Sequence, residues 1–305
     1  MNTPLTGALA ALALAGAHSS LSADTSRLEV GGGVIDLTIE PGDAGLSTEE
    51  IVEWVRNAAR SVAAYFGRFP VERVAVRVRR IAGAKVRSGR TFGHRGAFIT
   101  ISLGDRVTKA ALADDWMMTH EMTHLPFPSL ARKHQWLEEG MATYVEPIAR
   151  LRAGLLSPKQ VWGDLLRDLH QGLPELGDRG LDHTHTWART YWGGALFCLL
   201  ADVQIRERTG NRKGLEDSLR AIMSAGGNVT RDWPIDRVLT IGDEATGVPV
   251  LRDLYDQMKE APEPVDLPAL WERLGVRTGD DGAVSFDDGA PLASVRKAID
   301  AGDSR

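Results

Sequence analysis

The spacing of apolar positions changes once along the chain, and that change separates the predicted elements. Residues 28–40 (LEVGGGVIDLTIE) read as extended chain with a glycine kink, followed by the turn Pro41-Gly42-Asp43, so a strand or hairpin opens the fold. Ser47 with Glu50 three residues on makes a capping box, and Ile51, Val55, Ala58, Val62 and Tyr65 then recur at helical spacing up to Gly67. Residues 71–79 (VERVAVRVR) alternate apolar and charged, which buries one face of a strand and wets the other. A second extended run, 97–103 (AFITISL), follows a glycine-rich turn at Gly93 to Gly96. From Thr108 the pattern is helical: 109–124, 134–152, 157–171 with Ser157 as N-cap and Pro158 at N1, 186–209 and 214–225. Shorter helices follow, among them 267–274 and 291–299, the latter after a short strand near 283–286. The pattern predicts an α+β fold, a small mixed N-terminal sheet with a mainly helical C-terminal half. The one linker-like stretch, APEP at 261–264, sets a unit at 24–260, with a sheet lobe 24–107 and a helical lobe 108–260, apart from a small appendage at 261–305.

Composition narrows the chemistry. Lys and Arg number 36 against 41 Asp and Glu, a formal net charge of -5, and no basic block tracks a phosphate backbone, so nucleic acid is not an expected partner. A single cysteine, Cys198, excludes an intramolecular disulfide framework and a cysteine-based zinc site. Any metal must be held by histidines and carboxylates. Residues 5–17 form an apolar run of signal-peptide length, and Ala15-Gly16-Ala17 offers a small-x-small cleavage site. An export signal within 1–23 and a periplasmic or secreted protein are the expectation. No Lys or Arg precedes the run, so an Ala-rich leader on a cytoplasmic protein is the alternative. The run is too short for the roughly 20 residues that cross a bilayer as a helix, and no membrane span is expected.

Within the predicted helix 109–124 stands His120-Glu121-Met122-Thr123-His124. Histidines at i and i+4 lie one above the other on a helix face, so both imidazoles can reach one zinc ion. Glu121 borders the same pocket and can take a proton from a water without being a ligand. A catalytic site needs a third protein ligand and an open fourth position. The next helix supplies it in Trp136-Leu137-Glu138-Glu139-Gly140. Of the two carboxylates Glu139 is chosen, because Thr143 and Glu146 follow at i+4 and i+7 on its face and could support it by hydrogen bonds. Glu138 is expected to turn aside to solvent, and is the alternative ligand.

HEMTH together with WLEEGMATY resembles the gluzincin zinc metallopeptidases, whose HExxH is followed downstream by a Glu in a W-L-x-E-G-x-A motif. The resemblance implies one zinc ion on His120, His124 and Glu139, with Glu121 as general base. Residues 190–196 (TYWGGAL) are similar to the Y-x-K-G-A-x-L helix of the aminopeptidase N and glycyl aminopeptidase branches, where the Tyr stabilises an oxyanion; this implies that role for Tyr191. Residues 201–221 also look like the helix-turn-helix after that motif in the glycyl aminopeptidase branch, and the resemblance covers about 90–225. Three departures stand out. The gap between His124 and Glu139 is shorter than in the aminopeptidase N pattern, Gly193 occupies the place of the Lys, and the G-x-M-E-N strand that presents an amine-binding Glu is absent. Its counterpart, 93–103, contains no acidic residue, so aminopeptidase specificity is not carried over.

The expected function is zinc-dependent hydrolysis of a peptide or protein substrate, with Glu121 moving the proton and Tyr191 donating to the oxyanion. Strand 97–103, with Gly96 and Ala97, is the place where an extended substrate would add as a further strand. The alternative reading of Tyr191 is a partly buried anchor, and His185, His183 or His94 read as donors at the site or as solvated loop residues. Cys198 reads as a buried inert thiol, and Trp187 and Trp192 as cleft or core. The alternative from another class is an exported zinc-binding peptide receptor or scaffold without activity. Glu121 separates the two, since a structural zinc site needs no base.

Overall fold

The computed structural model describes residues 23–42, 45–279 and 282–302, and the expected leader at 1–23 lies outside them but for its last residue. The glycine kink resolves into a turn: Gly31 and Gly32, with φ of 55° and 86°, join β1 (Asp24–Val30) to β2 (Gly33–Ile39) as a hairpin. The predicted capping box forms at the start of α1 (Thr48–Phe66), where Glu50 N donates to Ser47 Oγ and Ser47 N donates to Glu50 Oε2. Strands β3 (Arg73–Ile81), β4 (Val86–Phe92) and β5 (Phe98–Gly104) complete a five-stranded sheet of order β1-β2-β3-β5-β4. β2, β3 and β5 run parallel, while β1 and β4 pair antiparallel at the two edges.

This topology corrects the expected substrate strand. β5, the predicted 97–103, is paired on both sides, to β3 and to β4, so no peptide can add to it. The edge strand beside it is β4, which the sequence pattern does not reveal: VRSGRTF has no apolar alternation because neither face of this strand is fully buried.

The predicted helix 109–124 is two helices, α2 (Lys109–Ala113) and α3 (Met117–Thr123). Asp115 divides them. Its carboxylate accepts from Met118 N at 3.2 Å and from Trp54 Nε1 of α1 at 3.1 Å, a local bond that restarts the helix and ties it to α1. A one-turn 3₁₀ segment, Arg132–His134, leads into α4 (Gln135–Arg152), and α5 (Pro158–Asp168) starts at the expected Ser157 cap. The predicted helix 186–209 begins with a π-helical turn, Arg189–Gly193, and continues as α6 (Gly194–Thr209). α7 (Leu215–Ser224), α8 (Ile235–Thr246) and α9 (Val250–Met258) follow. Residues 267–301 hold α10 (Leu267–Leu274), the hairpin β6 (Val276–Thr278) and β7 (Val284–Phe286), and α11 (Ala293–Ala301). This segment docks on the helical half: Arg152 of α4 donates to the Ile299 carbonyl at 2.8 Å and Trp162 Nε1 of α5 to Asp300 at 2.7 Å.

Two glycines set the distance between α4 and α6. A Cβ on Gly140 would overlap the Gly194 backbone, and a Cβ on Gly194 would overlap the Trp136 carbonyl. The helices therefore cross in backbone contact, which brings Glu139, next to Gly140, level with Tyr191, three residues before Gly194. Gly140→Ala should force them apart and cost about 1–3 kcal/mol. Urea denaturation checks this, and unchanged stability would contradict it.

Candidate active site

On α3, His120 and Glu121 are 4% and 7% exposed, and His124 sits at the C-cap. Trp116 meets the His120 ring edge-on at 5.3 Å, and Tyr191 stacks beside it at 6.2 Å. The second helix brings Glu139 up to both histidines: its Oε2 lies 3.3 Å from His120 Nε2 and 3.5 Å from His124 Nε2. Among the described residues these three form the group of histidines and carboxylates able to hold a metal, with ligand atoms all within 4.8 Å of one another.

The distances also match those of a metal site. Charge-assisted hydrogen bonds between such groups are about 2.7–2.9 Å. Ligand atoms about 2.0–2.1 Å from a tetrahedral zinc stand about 3.3–3.4 Å apart. Glu139 Oε2 stands near the second spacing from each imidazole nitrogen, and the donor set, two imidazoles and a carboxylate, leaves a fourth position free. The residues fit a zinc ion.

Electrostatics favour the same use. Burial lowers the affinity of His120 for a proton below its ordinary value, against the opposing pull of Glu139. At His124 burial is outweighed by the hydrogen bond and charge of Glu139, and its proton affinity is raised. Desolvation would push Glu139 up, but the two histidines hold it far below the ordinary carboxylate range, so it is ionised and ready to ligate.

The support expected for Glu139 is placed differently. The Thr143 hydroxyl donates to the Glu139 backbone carbonyl at 2.8 Å, and Glu146 pairs with Arg150 at 3.2 Å; in neither case is the partner the Glu139 carboxylate. Across from it, Tyr191 is a group whose ionisation the carboxylate opposes. Burial, then the charge and hydrogen bond of Glu139, push that phenol up to about 12, so it remains an O–H donor at neutral pH. Glu138 does not turn to solvent. It accepts from Leu130 N at 2.9 Å and so clips the tight loop between α3 and α4.

A cleft of about 740 Å³ opens over the trio, walled by Gly89, Arg90, Thr91 and Phe92 of β4, by Arg132 and by Tyr191. Gly96, Ala97 and His185 are absent from its lining; His94 is part of it. His183 pairs with Glu260 at 3.7 Å on the surface, and Cys198 is buried with its thiol pushed up by desolvation. Trp187, 61% exposed, stacks on Tyr191 at 5.6 Å, and Trp192 lines a neighbouring pocket of about 500 Å³ with Trp116 and Trp187. Sequence reasoning missed the β4 residues, whose one signal is the isolated Gly89 in a polar extended run.

The chain matches no protein-family model and no curated protein. Its fold is similar to that of an aminopeptidase N family protein from Idiomarina loihiensis, with a TM-score of 0.62 at 14% identity over 88% of this chain and 53% of that one. It is also similar to an M1 zinc metallopeptidase from Deinococcus radiodurans, with a TM-score of 0.50 at 18% identity over 81% and 54% of the two chains. A variant of that metallopeptidase bound to a Tyr-Ser-Ala substrate gives a TM-score of 0.50 at 17% identity over 80% of this chain and 54% of that one. The architecture is thus shared with these structures, and the chain spans about half their length.

Glu146 gives a prediction of its own. Burial raises its carboxyl to about 7 despite Arg150. The folded protein therefore keeps a proton that the unfolded chain releases near pH 4.5, and stability falls as pH rises from about 4.5 to 7, by up to about 3 kcal/mol. Glu146→Gln should flatten this slope in urea denaturation between pH 5 and 7.5. Parallel profiles for the two proteins would contradict the assignment.

Proposed function

We propose that the protein is a zinc-dependent peptidase whose ion is held by His120, His124 and Glu139. The observation that carries this reading is one Glu139 oxygen standing 3.3 Å and 3.5 Å from the two imidazole nitrogens, near the edge of a tetrahedral zinc site, beside an acidic residue that has no place in the ligand set. When bound, zinc would supply Lewis-acid polarisation of the scissile carbonyl and of a water. Glu121, buried at the cleft wall, accepts the proton of the attacking water and returns it to the leaving amine. Tyr191 donates its hydroxyl to the carbonyl oxygen as charge develops there. An extended substrate pairs with the free edge of β4, which borders the cleft from Gly89 to Gly93. That strand presents no carboxylate to a substrate amine; Arg87 and Arg90 are its charged residues. The unit 24–260 is proposed as the catalytic domain, and the leader supports an exported enzyme.

Two variants test the chemistry. Glu121→Gln should retain about one equivalent of zinc and lose turnover, because the amide fits the pocket and accepts no proton. Zinc binding with native-rate hydrolysis in this variant would remove the base, while zinc binding without hydrolysis in the unaltered protein would favour a peptide receptor. Tyr191→Phe should lower kcat by about a hundredfold with zinc content and KM nearly intact. His185→Ala should change neither parameter. A loss confined to the His185 variant would make Tyr191 a packing residue.

A further inference from the structure

The edge strand touches the site at one atom that the proposed mechanism does not use. Thr91 and Gly89, two apart on β4, present the same face of the strand, and α3 packs on that face. The Thr91 hydroxyl lies 2.6 Å from Glu121 Oε2 and 2.8 Å from the backbone carbonyl of the same residue. A hydroxyl has one proton and donates to one acceptor at a time. Toward an ionised carboxylate that bond is charge-assisted, and about 2.5–2.7 Å is its ordinary length. The contact to Oε2 has that length.

Gly89 treats the rest of the side chain differently. A Cβ at this position would stand 2.5 Å from Glu121 Cγ and 2.6 Å from Oε1, so the glycine leaves the space that the carboxylate occupies. No hydrogen bond to Oε1 forms among the described residues. One oxygen is thus held by the strand and the other is left free at the wall of the cleft.

We propose that Thr91 is a positioning residue that fixes the rotation of the Glu121 carboxylate by holding Oε2, so that Oε1 is the oxygen presented to the water. This rests on the reading of Glu121 as general base. A long side chain with a free terminal torsion is otherwise spread over several orientations, and misplacement of a proton acceptor by about 1 Å lowers rate steeply without weakening substrate binding. A merely structural Thr91, capping the Glu121 carbonyl in an edge strand, would make no such distinction between kcat and KM.

Thr91→Val keeps the shape and removes the hydroxyl, and Thr91→Ser keeps the hydroxyl and removes the methyl. For Thr91→Val we expect kcat on a peptide substrate to fall by about tenfold or more, with KM and zinc content within about twofold of the unaltered protein. Thr91→Ser should recover kcat to within about threefold. Native kcat in Thr91→Val, equal losses in both variants, or a loss confined to KM or zinc content would overturn the proposal. Crystal structures of the unaltered protein and of Thr91→Val read the positioning without activity. The expected result is one Glu121 orientation in the first and more than one, or a rotated carboxylate, in the second. An unmoved carboxylate in the variant overturns the role of Thr91. A displaced carboxylate in a protein that hydrolyses no peptide supports that role and removes the peptidase reading.

Discussion

Backbone contact between α4 and α6 at Gly140 and Gly194 is the constraint on which the site depends. Helices that cross through side chains stand about 8–10 Å apart. Here the absence of two Cβ atoms lets Trp136, Gly140 and Gly194 meet backbone to backbone. Glu139 is the residue next to that crossing, and Tyr191 lies one turn before it. Their proximity follows from the crossing rather than from either helix alone. The π-helical turn Arg189–Gly193 adds a residue to the helix at this point and re-aims the side chains that follow it.

The crossing is braced from behind by charge. Tyr144 of α4 donates to Asp202 of α6 at 3.0 Å, Asp202 pairs with Arg206 at 2.8 Å, and Arg206 reaches Glu216 of α7 at 2.7 Å, all in the interior. At the start of α4, Asp182 accepts from Trp136 Nε1 at 2.8 Å and from Tyr255 at 2.9 Å, and lies 2.9 Å from His134 Nδ1. Loss of one member of such a network leaves an unpaired buried group, which costs more than the bond itself contributes. The helix that carries Glu139 is thereby fixed at its start and at its middle, while α3, only seven residues long, is held by Asp115 and by the edge strand.

What was legible in the sequence was local. The i, i+4 histidines and the caps at Ser47 and Ser157 depend on spacing along one helix, and they stand where the pattern puts them. The features that escaped depend on distant partners. β4 lacks a buried face, so no alternation marks it. The break between α2 and α3 arises from a carboxylate that bonds a tryptophan 61 residues away in sequence. Thr143 and Glu146 share a helix face with Glu139, yet Glu146 is claimed by Arg150 one turn on. The spacing of Glu138 is that of a solvated neighbour, because nothing in it shows the backbone N–H of Leu130 folding back to the carboxylate.

The central claim is the geometry of the metal centre, and anomalous diffraction tests it most directly. Crystals containing zinc, measured on both sides of the zinc absorption edge, should show a single strong peak about 2.0–2.2 Å from His120 Nε2, His124 Nε2 and a Glu139 carboxylate oxygen. A peak ligated by Glu138 instead, or zinc-replete crystals with no peak between these three residues, would contradict the account.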